Sequence, residues 1–96
     1  MPVATVKKRR QTKKRKVYGQ YIVADPEICH GQLTFIGTRI FVADVLHDVA
    51  EGRNWNWIIK NWHGSITREA IAETVELSRT ALLDHIEEYA IDQAKR

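Results

Sequence analysis

The chain has 96 residues, 44% of them hydrophobic, a formal net charge of +3 and a single cysteine. That length suffices for one small domain whose core is marginal, so oligomerisation is expected to complete it. No apolar run approaches the roughly 18 residues that would span a bilayer, no signal-type apolar segment stands at the N-terminus, and one cysteine cannot close an internal disulfide; the chain reads as cytoplasmic, without a membrane partner.

The charge is unevenly spread. In KKRRQTKKRK, residues 7 to 16, eight of ten positions are Lys or Arg, which leaves seven basic residues against all 12 acidic ones elsewhere, a balance of −5. Eight like charges repel one another and residues 1–17 hold almost no apolar content, so this segment reads as a flexible basic arm ahead of a small body at 18–96. Lys7, Lys8, Arg9, Arg10, Lys13, Lys14, Arg15 and Lys16 match the electrostatic footprint of a DNA-binding extension, with a merely solubilising tail as the plainer alternative.

From Tyr18 the pattern changes. YIVA at 21–24 is β-forming and runs into DPEI, where Asp25 can cap a turn, Pro26 has φ preset for its first position and Glu27 faces the turn's positive end. Gly31 and Gly37 bracket LTFI at 33–36, a run too short for a helix, and a small two-stranded element with YIVA is expected. Val42, Val45, Leu46, Val49 and Ala50 form one apolar stripe at helical spacing, with Gly52 as the stop. Trp55, Ile58, Ile59 and Trp62 repeat that spacing in a second, short helix that HGS at 63–65 interrupts. Thr67 can cap a third helix, with Ile71, Val75, Ser78 and Leu82 on one side; the pattern reaches Ile86 and Tyr89, and SRT at 78–80 is where it can break in two. The expected fold is mainly α, three or four helices with one or two short N-terminal strands.

Two constellations invite a chemical reading. Cys29 beside His30 could be a nucleophile with its base or a pair of metal ligands, but neighbours in an extended segment point to opposite sides, and no C-x-x-C or H-x-x-x-H spacing links His47, His63 or His85 to them. A buried cysteine and a turn histidine are expected, with no catalytic residue, metal or cofactor. Trp55 and Trp62 fall on the apolar stripe of their helix, whereas Trp57 falls off it and is the candidate interface anchor. The second and third helices outline a helix-turn-helix, but Glu69, Glu73 and Glu76 on the outer face of the third oppose its approach to phosphates, so the arm is the expected source of DNA affinity.

DPEICHG at 25–31, FIGTRIFV at 35–42, DVL with an EG helix end at 51–52, and W-HGSITREAIAE in the second half resemble family 433 of the domains of unknown function over roughly residues 20–82. Its members are described as predicted antitoxins paired with toxins of the PIN-domain nuclease class. The resemblance implies a homeodomain-like (helix-turn-helix) binding module, a homodimer, with Asp25, Pro26, Gly31, Gly37, Thr38 and Arg39 as structural motif residues. Leu33 and Phe41 stand where the family usually has proline, and Ile36 where a basic residue is common. These added apolar side chains imply a larger contact surface, with Phe35, Ile36, Phe41 and Trp57 as the expected partner interface.

The expected function is therefore that of a type II antitoxin, which binds and neutralises a PIN-type ribonuclease toxin and acts as transcriptional repressor of its own operon by contacting operator DNA. A stand-alone DNA-binding regulator with a basic arm is the alternative, and a small enzyme around Cys29 and His30 a third. Asp25 and Arg39, opposite charges flanking the two motif turns, are expected to pair.

Overall fold

The structure, a computed structural model, describes residues 14–91. Three short strands, β1 (Lys16–Tyr18), β2 (Ile22–Ala24) and β3 (Leu33–Phe35), precede three helices, α1 (Val42–Ala50), α2 (Trp55–Asn61) and α3 (Arg68–His85), and a closing 3-10 turn at Ile86–Tyr89. The mainly helical class and the small N-terminal sheet agree with the sequence reading. The sheet has one strand more than expected: β1 pairs antiparallel with β2 in the register Lys16↔Ala24, Val17↔Val23, Tyr18↔Ile22, and β2 pairs antiparallel with β3 through Ile22↔Phe35 and Val23↔Thr34. Lys16 and Val17, counted above with the arm, are strand residues.

Side chains alternate along β2 and β3, so Ile22 and Phe35 share the face that meets the helices. They join Val42, Val45, Ile58, Ile66, Ala70 and Ile71 in one buried cluster, flanked by Leu46, Val49, Trp55, Ile59 and Trp62. Phe35, expected at a partner surface, is therefore a core residue at 2% exposure, because the pleat turns it inward; its neighbour Ile36, in the following turn, is 39% exposed. Thr34 lies on the opposite face at 0% exposure, and its hydroxyl has no hydrogen-bond partner. An unpaired buried hydroxyl costs free energy that a methyl group of the same shape does not. Thr34→Val is expected to raise stability by about 1 kcal/mol, read as a higher urea midpoint; a lower midpoint would show that the hydroxyl is satisfied in solution.

The helix ends follow local chemistry. At the end of α1, Gly52 takes φ +83° while its N–H donates to the Val49 carbonyl at 3.0 Å and the Arg53 N–H reaches back to the Asp48 carbonyl at 3.1 Å, a Schellman closure that requires a left-handed residue. Helix α2 begins at Asn54, whose side-chain oxygen accepts from the Trp57 N–H at 2.8 Å, and closes in the same way with His63 (φ 58°) in the left-handed position. The Trp62 indole N–H donates to Asp48 at 3.2 Å, tying the end of α2 to α1.

Helix α3 starts where expected, with the Thr67 hydroxyl accepting from the Ala70 N–H at 3.1 Å. Two features differ from the sequence reading. The helix runs unbroken through Ser78, Arg79 and Thr80, because the Ser78 hydroxyl bonds back to the Thr74 carbonyl at 2.8 Å and so does not compete with the helix backbone. Its buried residues are Ala70, Ile71 and Thr74; of the expected side Ile71 is buried, Val75 and Ser78 are half-buried and Leu82 is 51% exposed. Thr74 is tolerated inside since its hydroxyl also bonds back, to the Ala70 carbonyl at 2.8 Å.

Candidate partner and nucleic-acid surfaces

The two motif turns are built as their residues suggest. The Asp25 carboxylate accepts from the Glu27 N–H at 2.9 Å, while the Ile28 N–H closes the turn on the Asp25 carbonyl at 2.8 Å; Pro26 occupies the position where a missing N–H matters least. In the second turn the Thr38 N–H donates to the Phe35 carbonyl at 3.0 Å, with Gly37 at φ +81°. The Thr38 hydroxyl locks it from both sides, donating to the Phe35 carbonyl at 2.8 Å and accepting from the Ile40 N–H at 3.0 Å. Phe41, the residue before α1, has φ −72°, within the range a proline would impose.

Asp25 and Arg39 do not meet. The cation beside Asp25 is Arg15, with Nε 3.8 Å from the carboxylate, because β1 runs alongside β2 and carries the end of the basic run to the Asp25 turn. Arg39 is exposed and makes no ion pair among the described residues. Lys14, Arg15 and Lys16 thus lead directly into the sheet, while Lys7, Lys8, Arg9, Arg10 and Lys13 lie outside the described residues.

Cys29, His30 and Gly31 form a left-handed turn with φ 51°, 59° and 85°, not the extended segment expected. Cys29 is half-buried and His30 exposed. Among the described residues no three His, Cys, Asp or Glu side chains gather as a metal site would require.

Trp57 is 38% exposed and is not alone: the Arg53 guanidinium lies over its ring, 4.4 Å from the centroid. On the neighbouring side of α2, Arg68 sits 5.6 Å from the Trp55 ring centroid and donates to the Asn56 side-chain oxygen. Each pair sets positive charge on a rigid apolar ring, an arrangement suited to carboxylates, phosphates or aromatic faces. Trp55 packs against the core, and two residues apart on a helix the indoles face different sides, so Arg53 with Trp57 is the pair that presents an exposed indole. Trp57 stands out in the sequence while Arg53 and Arg68 do not; the i, i+4 spacing of Arg53 and Trp57 is the available signal, concealed because a helix boundary falls between them.

One polar contact across the fold had no sequence signal. The Glu73 carboxylate accepts from the Gln20 N–H at 2.8 Å and from the Tyr21 N–H at 2.9 Å, clasping the β1–β2 turn to α3. Glu73 was expected on the solvent face of α3 with Glu69 and Glu76; it is spent inside the molecule, and Glu76 is within 3.7 Å of Arg79.

These elements define a small, mainly helical module with an N-terminal antiparallel sheet and a basic lead-in. The family model described as a protein of unknown function (DUF433) matches residues 22–77, and the chain belongs to that family. No curated protein and no solved structure matches it. None of its helices is long and apolar enough to cross a membrane, among the described residues.

Proposed function

We propose that the chain is the antitoxin of a type II toxin–antitoxin pair, a homodimer that neutralises a PIN-type ribonuclease toxin and represses its own operon. Membership of the DUF433 family and the helical fold are consistent with a regulatory, DNA-binding role. The observation that carries the reading is a separation along the chain: cations concentrated ahead of β1, and a distinct exposed pair, Arg53 over Trp57, at the start of α2. Phosphates are met by the first, a protein partner by the second. Trp and Arg supply a disproportionate share of binding energy at protein interfaces. In this reading α2 and α3, joined by Trp62–Thr67, act as the helix-turn-helix of a homeodomain-like body, orienting the arm on operator DNA more than reading bases, since Glu69 and Glu76 face outward. The same machinery without a toxin would serve a stand-alone regulator.

The test is capture of the product of the adjacent gene by the full chain, by a chain with Lys7, Lys8, Arg9, Arg10 and Lys13 replaced by Gln, and by Trp57→Ala. Retention by the arm variant together with a loss of about tenfold or more in affinity for Trp57→Ala is expected. Equal capture by all three would remove both the Arg53–Trp57 pair and the arm from toxin binding, and no capture by any would leave the stand-alone regulator.

A further inference from the structure

The proposed homodimer leaves open which surface makes it, and the second half of α3 carries the answer. The helix has 18 residues, about 27 Å, yet its buried residues Ala70, Ile71 and Thr74 all lie in the first half, and every residue from Arg79 to Ile91 is exposed. This free half is not polar. Leu77, Ala81, Leu82 and, past the helix end, Tyr89 continue along the face that Thr74 begins. Beside its root an open apolar groove of about 290 Å³ is walled by Tyr18 and Leu33 of the sheet, Leu46 of α1, and Leu77 and Ala81.

We propose that two copies of the chain pair antiparallel along this half of α3, each laying Leu82 and Tyr89 into the other's groove. The inference rests on the dimer reading above and assigns it a surface. The face is self-complementary: apolar projection and apolar groove adjoin on one helix, so a two-fold axis across it places each projection over the other copy's groove, the symmetric arrangement of isologous dimers. Area agrees. Tyr18, Leu33, Leu77, Leu82 and Tyr89 leave 37–71% of their surfaces exposed. With large aromatics at roughly 150–250 Å² each and leucines somewhat smaller, they offer on the order of 450 Å² per copy, over half of the ~800 Å² a standard interface takes from each side. Charge agrees as well. The projecting end is acidic, with Asp84, Glu87 and Glu88, and the groove it enters is walled by Tyr18, two residues after Lys16. The acidic end of one copy therefore arrives beside Lys14 and Lys16 of the other. A partner of different sequence would have to reproduce both halves of this match; a second copy supplies them by symmetry.

Sedimentation of the full chain at micromolar concentration tests the assignment. The wild type is expected to be a dimer, and Leu82→Lys and Leu33→Glu each to weaken it by about tenfold or more, with unchanged circular dichroism because neither side chain is in the core. Should either variant unfold, Leu82→Ser replaces it. Glu87→Lys is expected to weaken the dimer, and adding Lys16→Glu in the same chain to restore it. A wild-type dimer indifferent to Leu82→Lys and Leu33→Glu overturns the seam and leaves the dimer reading standing. A wild-type monomer overturns both, and if Leu82→Lys then abolishes capture of the neighbouring gene product, the face belongs to that protein instead.

Discussion

Binding to duplex DNA is expected to weaken about a thousandfold between 50 and 200 mM salt, from a slope of log affinity against log salt near −5 for roughly six phosphate contacts at about 0.9 counterions each. Six is the number of cations in the run other than the two nearest the sheet. Of the eight cations between 7 and 16, Arg15 lies beside Asp25 and Lys16 is held in β1, which leaves Lys7, Lys8, Arg9, Arg10, Lys13 and Lys14. Replacing the first five by Gln is expected to bring the slope close to −1, about 0.9 for each contact removed. Fluorescence anisotropy over a salt series measures both slopes; a variant with the parent's slope would move DNA binding from the arm to the body. Substitution is the better probe, since deleting residues 1–17 would also remove two residues of β1. The arm carries little sequence preference by itself, because phosphate contacts position a protein without reading bases.

The second large effect is on stability. Glu73→Ala is expected to cost about 2 kcal/mol, because two backbone N–H groups lose a charged acceptor and only the exposed one recovers water fully. For a domain this small that corresponds to a fall of roughly 8–16 °C in Tm. Glu73→Gln keeps one acceptor oxygen and is expected to recover about half of the loss. Gly19→Ala attacks the same clasp from the other side: an added Cβ would stand 2.5 Å from the Glu73 carboxyl carbon, at a backbone φ of +68°. Thermal melts of the three variants decide it, and a Glu73→Ala protein that melts with the parent would mean the clasp is solvated and idle.

The helices were legible because their signals are local and redundant. Val42, Val45 and Leu46 repeat at helical spacing, and Gly52 and Thr67 punctuate the chain where the structure ends α1 and begins α3. The motif turns were legible for the same reason: Gly37 and Thr38 suffice to close theirs. What escaped was non-local. Strand β1 is KVY at the end of a charge run, three residues whose only reason to be extended is β2 beside them. Because β1 places Arg15 at Asp25, the expected pairing of Asp25 with Arg39 failed for a cause that neither residue carries. Phe35 and Ile36 are equally apolar and adjacent, and only the sheet's pleat decides that one is core and the other surface. On α3, Thr74 gives no apolar signal in the sequence, yet it is buried, its hydroxyl satisfied by the Ala70 carbonyl one turn back. The Arg53–Trp57 pair lay between these cases, its spacing visible and its stacking not.

Glu73 is 53 residues downstream of Gln20, and that separation sets a clock during synthesis. At roughly 5–20 residues per second, the β1–β2 turn emerges some 3–10 s before the carboxylate that fastens it. The helices that cover Ile22 and Phe35 arrive over the same interval, so the nascent sheet waits with its apolar face bare. Folding of this domain is therefore in effect completed only after α3 has been made.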